Sequence, residues 1–324
     1  MVKQVFSALL LMAVVFATPA MSADTKVVDL LQDISVTIKA DGAQGSGTLF
    51  NRKVGDDTIT YVWTAAHVID GLRKVRSVVV NGTPKVVVEF ADAQIVQEYK
   101  QDGRRIGELK MEAKVVRYSD AEQGEDLALL QVRKKNFVPA STTATFYEPS
   151  TIPPIGTPLC HVGSLLGQVG ANSYTEGVLS QIGRVLDLGA SGTVFDQTTV
   201  TAFPGSSGGG VYTRDGKYVG MLVRGAGEQF NFIVPVRRMN EWATKAGVAW
   251  ALDSKLKMPS AEELQKLPIE DTGTRFEPTP VHPVHDHGPD DGMMNGLMRI
   301  GDKVYFTLPN SWGRDTTIEK MIVR

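Results

Sequence analysis

The sequence predicts a mainly all-β fold, a barrel or a sandwich, on three observations. Short stretches with period-two alternation recur along most of the chain, Gly, Asp and Asn turns separate them, and they fall into two successive sets of about six. A strand points alternate side chains to opposite faces, so such alternation marks a sheet with one face buried. The first set comprises Ile34-Ser35-Val36-Thr37-Ile38, Thr58 to Trp63, Lys85 to Phe90, Leu109 to Tyr118 and Leu127 to Val132. The second comprises Leu159 to Val162, Ser173 to Gln181, Thr193 to Thr201, Gly210 to Thr213, Tyr218 to Arg224 and Gln229 to Val234. From Pro235 to Gly247 the period changes: Val236, Met239, Trp242 and Ala243 recur at helical spacing and predict a short C-terminal helix with Trp242 in the core. Between Ala91 and Met111, the runs Gln94 to Tyr99 and Arg105 to Leu109 flank Asp102-Gly103, a hairpin signal.

Composition bounds what such a protein does. With 324 residues, 42% hydrophobic and 22% charged, the chain can bury a full core as one large domain or two small ones. A net charge of −2 gives no reason to expect nucleic acid or an anionic membrane surface as a partner, and leaves polypeptides open. The start has one lysine, an apolar run from Val5 to Ala17, and small residues up to Ala23, the pattern of a secretory signal peptide. That run is shorter than the roughly 20 residues a membrane-spanning helix needs. Cleavage is expected after Ala23, with Ser22 and Ala20 as alternatives, and export to the periplasm or cell exterior follows. Cys160 is the single cysteine, so no intramolecular disulfide forms; in an apolar strand it reads as a small buried residue. His161 beside it reads as structural. Beyond Pro259 the chain turns rich in Pro, Gly, Asp and His, and His282, His285 and His287 fall close together. Such a tract can chelate a transition metal, but its short acidic character describes an adventitious binder and no metal is expected.

Three segments carry chemistry. Pro204-Gly205-Ser206-Ser207-Gly208-Gly209 presents a serine in a Gly-x-Ser-Gly-Gly turn, whose backbone N–H groups can converge on one point. Trp63-Thr64-Ala65-Ala66-His67-Val68-Ile69 places a histidine after a β-rich run, and Glu125-Asp126-Leu127 places an aspartate before an apolar strand. A serine hydroxyl needs a base that works near pH 7, and imidazole is that side chain. The imidazole needs an acceptor on its other nitrogen. Ser206 is a competing hydroxyl in the variable position of the turn, and Asp120 and Glu125 are competing carboxylates, although only Asp126 directly precedes the apolar run.

The order His67, Asp126, Ser207, with Gly45-Ser46-Gly47-Thr48-Leu49-Phe50 before it and Thr175-Glu176-Gly177-Val178-Leu179-Ser180 within it, resembles the trypsin-like, chymotrypsin-fold serine proteases, and more closely their bacterial HtrA/Deg-type branch. The resemblance runs from about Ile34 to Trp242. It implies two six-stranded antiparallel β-barrels with the active site between them, a short C-terminal helix and an irregular tail. It further implies a cofactor-free serine endopeptidase acting on polypeptides, with Ser207 as nucleophile, His67 as general base and acid, Asp126 as orienter, and the Gly205 and Ser207 amides as oxyanion hole. By the same resemblance Thr201 floors the primary pocket and Leu222, Val223 and Arg224 line it, with Arg224 expected to face solvent at the rim. The organisation read from this is a signal peptide over 1–23, a protease domain over 24–250, a flexible linker over 251–293 and a short segment with one strand over 294–324. That last segment is too short for the peptide-binding PDZ domain usual in the branch, which leaves oligomerisation open. The separation of His67 from Asp126 is longer than expected for such relatives, and the extra length is read into the hairpin between Ala91 and Met111.

Overall fold

The computed structural model describes residues 24–271 except 82, 102, 123, 186–192 and 226–228, together with 297–300 and 303–306. The expected signal peptide, the linker from 272 onward and His282, His285 and His287 lie outside the described residues.

The first barrel is built from β1 (Ser35–Ala40), β2 (Ala43–Val54), β3 (Asp57–Thr64), β6 (Ala93–Gln101), β7 (Arg104–Ser119) and β8 (Leu127–Val132), with a separate hairpin of β4 (Arg73–Val80) and β5 (Thr83–Phe90) between β3 and β6. Its strands pair in the order β7-β6-β1-β2-β3-β8, and β7 closes the ring on β8. A two-residue strand, β9 (Thr145–Phe146), leads to the second barrel: β10 (Pro158–Leu165), β11 (Gly170–Val185), β12 (Val194–Thr198), β13 (Gly210–Thr213), β14 (Lys217–Gly225) and β15 (Asn231–Pro235). These pair as β13-β10-β11-β12-β15-β14, and β13 closes on β14. All pairings within both rings are antiparallel. The two closed six-stranded barrels are the ones the sequence predicts.

Several details differ from the sequence reading, which names neither β2 nor β4 as a strand. Lys85 to Phe90 is a strand, but it pairs only with β4 and stands off the barrel, because alternation reports a half-buried strand without naming its partner. The Ala91–Met111 stretch does form a hairpin turning at Gly103. Its base belongs to the barrel, where Gln94, Ile95 and Val96 pair with Lys39, Ile38 and Thr37 of β1.

The helix predicted after Pro235 is α3 (Val236–Lys245), which follows α1 (Thr25–Asp33) and the single turn α2 (Ala66–Ile69) in the chain; Val236, Met239, Trp242 and Ala243 are buried. Where the sequence predicts a linker from 251, residues 251–271 instead fold onto the first barrel. They form α4 (Ala261–Lys266), which a Ser260/Glu263 capping box starts, and β16 (Glu270–Asp271), which pairs parallel with the end of β7. A short antiparallel pair, β17 (Leu297–Ile300) and β18 (Lys303–Phe306), lies further on. Arg52 Nε donates to Trp250 O at 2.9 Å and Trp63 Nε1 to Ala251 O at 3.3 Å. Trp242 packs edge-on against Trp63 with ring centroids 6.0 Å apart, and Trp250 against Tyr61 at 4.9 Å. Cys160 is buried and free, and burial pushes its thiol up to about 11, so it stays a protonated packing group.

Candidate active site

His67 sits in α2, which starts directly after β3 delivers the chain to Ala65. Asp126 is buried at the mouth of β8 with φ of 55°, a left-handed conformation that Asp tolerates better than most residues. Its Oδ1 accepts from the His67 backbone N–H at 3.1 Å, and its two oxygens lie 3.0 and 2.9 Å from His67 Nδ1. The carboxylate therefore fixes the imidazole's position and keeps the proton on Nδ1, which leaves Nε2 as the basic nitrogen. Of the neighbouring carboxylates, Glu125 is engaged with Arg238 (Nε–Oε2 2.5 Å) and Asp120 accepts from the Glu122 amide at 2.8 Å.

The serine turn comes from the second barrel. Ser206 is fully buried and its Oγ accepts from the Phe203 amide at 3.1 Å, whereas Ser207 is partly exposed with Oγ donating to Val223 O over 3.4 Å. Ser206 is thus a turn residue and Ser207 presents the accessible hydroxyl. Two glycines make the turn possible: Gly205 has φ of 94° and a Cβ there would fall 2.4 Å from Ser164 O, and Gly208 has φ of 87° with a Cβ 2.2 Å from Ser46 O. The Ser206 amide donates to Phe203 O and the Gly208 amide to Leu222 O. The turn abuts the histidine segment, since the Gly208 Cβ position is also 3.0 Å from Ala65 N. The contact the structure gives the Ser207 hydroxyl is with Val223, and the histidine link is made on the Asp126 side.

The residues expected to line a pocket divide. Thr201 is partly buried and its carbonyl accepts from Thr175 Oγ1 at 2.9 Å. Leu222 is buried in the second barrel with Val211 and Ile233, and Val223 is buried in the larger core, so both side chains serve packing. Arg224, expected to face solvent at the rim, is 36% exposed, with Nη2 3.9 Å from Asp126 Oδ2 and 3.5 Å from Ala121 O.

Sequence reasoning missed several neighbours. Asp70, one turn after His67, accepts from the Tyr118 hydroxyl; burial holds its carboxyl above the usual range, the Tyr118 bond opposes this, and the charges of Asp120 and Asp126 add to it. Its signal was the three-residue helical offset from His67. Arg238 is buried against Glu125 and over the Phe195 ring at 4.6 Å, and no sequence pattern links residues so far apart. Ser46 was visible only as part of a glycine-rich motif. No cluster of His, Cys, Asp and Glu suited to a metal occurs among the described residues.

The profile of the trypsin-like peptidase domain matches residues 45–221, more than half of the chain. Two serine proteases Do-like HtrA, from Lactococcus lactis subsp. lactis strain IL1403 and subsp. cremoris strain MG1363, are each 30% identical over 184 residues, 55% of this chain. The chain spans 36% of the length of these curated relatives. A crystal structure of Rv3671c from M. tuberculosis H37Rv, a serine-to-alanine mutant in its inactive form, superposes with a TM-score of 0.48 at 18% identity, covering 69% of this chain and 92% of that one.

Proposed function

The chain belongs to the trypsin-like peptidase family, and from that premise we propose that it is an exported serine endopeptidase in which Ser207, His67 and Asp126 perform acyl transfer. The observation that carries this reading is the double hold of Asp126 on His67, through ring nitrogen and backbone amide, beside a turn presenting one accessible serine. In the proposed cycle a peptide carbonyl enters the cleft, His67 Nε2 removes the Ser207 proton, and Oγ attacks the carbonyl carbon. Asp126 stabilises the imidazolium that forms. The Gly205 and Ser207 amides would meet the negative oxygen, and each such donor is worth about 3–4 kcal/mol. His67 then gives its proton to the leaving amine, and water repeats the sequence to release the acyl group. The apolar run from Val5 to Ala17 supports export to the periplasm or cell exterior.

A second reading, a protease-fold binding module, is favoured by one observation: Ser207 Oγ rests on Val223 O. Labelling by a serine-directed phosphonate discriminates the two. Modification of wild-type protein and of Ser206→Ala but not of Ser207→Ala supports the protease, and an unlabelled wild-type protein retires it in favour of the binding module.

A further inference from the structure

The peptides flanking the two proposed oxyanion donors are held by four hydrogen bonds, three of them from outside the turn, and most of the holding leads to one residue of the first barrel. In a planar trans peptide the C=O and N–H point in opposite directions, so clamping a carbonyl aims the N–H on its other side. Pro204 O accepts from Leu166 N at 2.7 Å, which turns the Gly205 N–H the other way, and Ser206 O accepts from Gly209 N at 3.0 Å, which does the same for Ser207 N–H. The peptides between and after these are tied to Ser46. Gly205 O accepts from Ser46 Oγ at 2.7 Å and Ser207 O from Ser46 N at 2.7 Å. The same hydroxyl accepts from Ser164 N at 2.7 Å, and so fixes the end of β10 from which Leu166 reaches Pro204. Ser46 O in turn accepts from Thr64 Oγ1 at 2.8 Å, three residues before His67. Ser46 is fully buried, and its hydroxyl donates once and accepts once.

We infer that Ser46 is the positioning residue of the oxyanion turn: it locks the Gly205–Ser207 backbone of the second barrel to the strand that leads to the histidine in the first. The inference rests on the proposed acyl-transfer reading and adds to it a residue that touches no substrate.

Two readouts test it in the full chain: the rate of labelling by a small alkyl fluorophosphonate, whose phosphoryl oxygen occupies the hole, and kcat against KM for p-nitrophenyl acetate. Ser46→Ala should slow labelling and kcat by about 10- to 100-fold with KM nearly unchanged, less than the 10²–10³ expected on removing a donor outright. Thr37→Val is the control for loosening alone. It deletes an equally buried contact between the barrels, Thr37 Oγ1 to Ser164 Oγ at 2.6 Å, and leaves in place the Ser164 N–H bond to Ser46 Oγ on which the proposal depends. It should lower the melting temperature and leave both rates near wild type. Ser46→Ala at the wild-type rate, or Thr37→Val slowed equally, overturns the assignment. If Ser46→Ala does not fold, Ser46→Cys, which keeps a weak donor, carries the same test: slowing of at least about fivefold supports the role and an unchanged rate ends it. A wild-type protein that neither labels nor hydrolyses removes the acyl-transfer reading itself, an outcome distinct from these.

Discussion

Replacing His161 by Gln tests how the joint between the barrels responds to acid. His161 is fully buried; its Nδ1 lies 2.9 Å from Gly210 O, and its Nε2 has no hydrogen-bond partner. Glycines wall the ring, since a Cβ at Gly163 would lie 2.7 Å from Nε2 and one at Gly209 2.6 Å from Cε1. Burial pushes the imidazole down to about 4 from 6.5, with the Gly210 bond opposing weakly. Below pH 6.5 the unfolded chain takes up a proton that the folded chain refuses until about pH 4, so the unfolded state binds more protons and stability falls as pH falls through that window. At 1.36 kcal/mol per pH unit, going from pH 7 to pH 5 removes about 2 kcal/mol. Gln keeps an N–H donor for Gly210 and does not titrate. Urea unfolding of both proteins at pH 7 and pH 5 provides the assay. The wild type should lose about 2 kcal/mol more than His161→Gln between the two, and subtracting one from the other cancels groups such as Asp70. Equal losses, or an imidazole NMR titration of His161 near 6.5, would refute the reasoning.

Three further expectations follow from the site. Ser207→Ala should abolish proteolysis and leave the fold intact, while Ser206→Ala should stay active and lose about 1–3 kcal/mol because the Phe203 amide is orphaned; a casein digest and thermal melts check both. Cleavage is expected after Val, Ala or Leu, since Thr201 offers no carboxylate to a basic side chain and Arg224 is engaged at Asp126. An Arg224–Asp126 contact of this partly exposed kind is worth about 0.2–1 kcal/mol, so Arg224→Ala should change kcat/KM by no more than about fivefold; a peptide-library profile dominated by acidic residues and lost in that variant would show the opposite. Extra residues before Asp24 should not block activity, because the stretch from Asp24 lacks an Ile-Val-Gly-Gly type of sequence and Asp24 is already used, its side chain accepting from the Lys26 amide at the head of α1; an inert tagged protein switched on by trimming would contradict this.

Most strands were legible because alternation is local, although β2 and β4 were not, and the two-barrel arrangement rested on the family resemblance. Partners were less legible: β5 shows the same valine pattern as barrel strands, yet the residue opposite Val87 is Arg76 of a detached hairpin. At the site, His67, Asp126 and Ser207 stood out because each lies in a short motif with its own chemistry. Ser46, Arg238 and Tyr118 did not, because their roles come from contacts across the fold, such as Ser46 to Gly205, and spacing along the chain carries no trace of them. The approach of Arg224 to Asp126 was not legible for a related reason: it exists only once β14 and β8 are neighbours in space. The stretch 251–271 reads as a linker by composition, but a capping box and a few apolar residues suffice to dock it.

The lacing at the two ends of the stretch 24–271 bears on how this protein could be divided. Helix α1, which precedes the first barrel, reaches the second, where Gln32 Nε2 donates to Asn172 O at 3.0 Å. The segment after the second barrel returns to the first, where Arg73 grips Glu270 and Tyr118 N–H donates to Ile269 O at 2.8 Å. Cutting between the barrels therefore leaves each half without the strap that the other half's terminus supplies. Two separately expressed halves would meet as complementary fragments, each completing its partner, and an engineer seeking a minimal catalytic unit would have to keep the chain through Asp271.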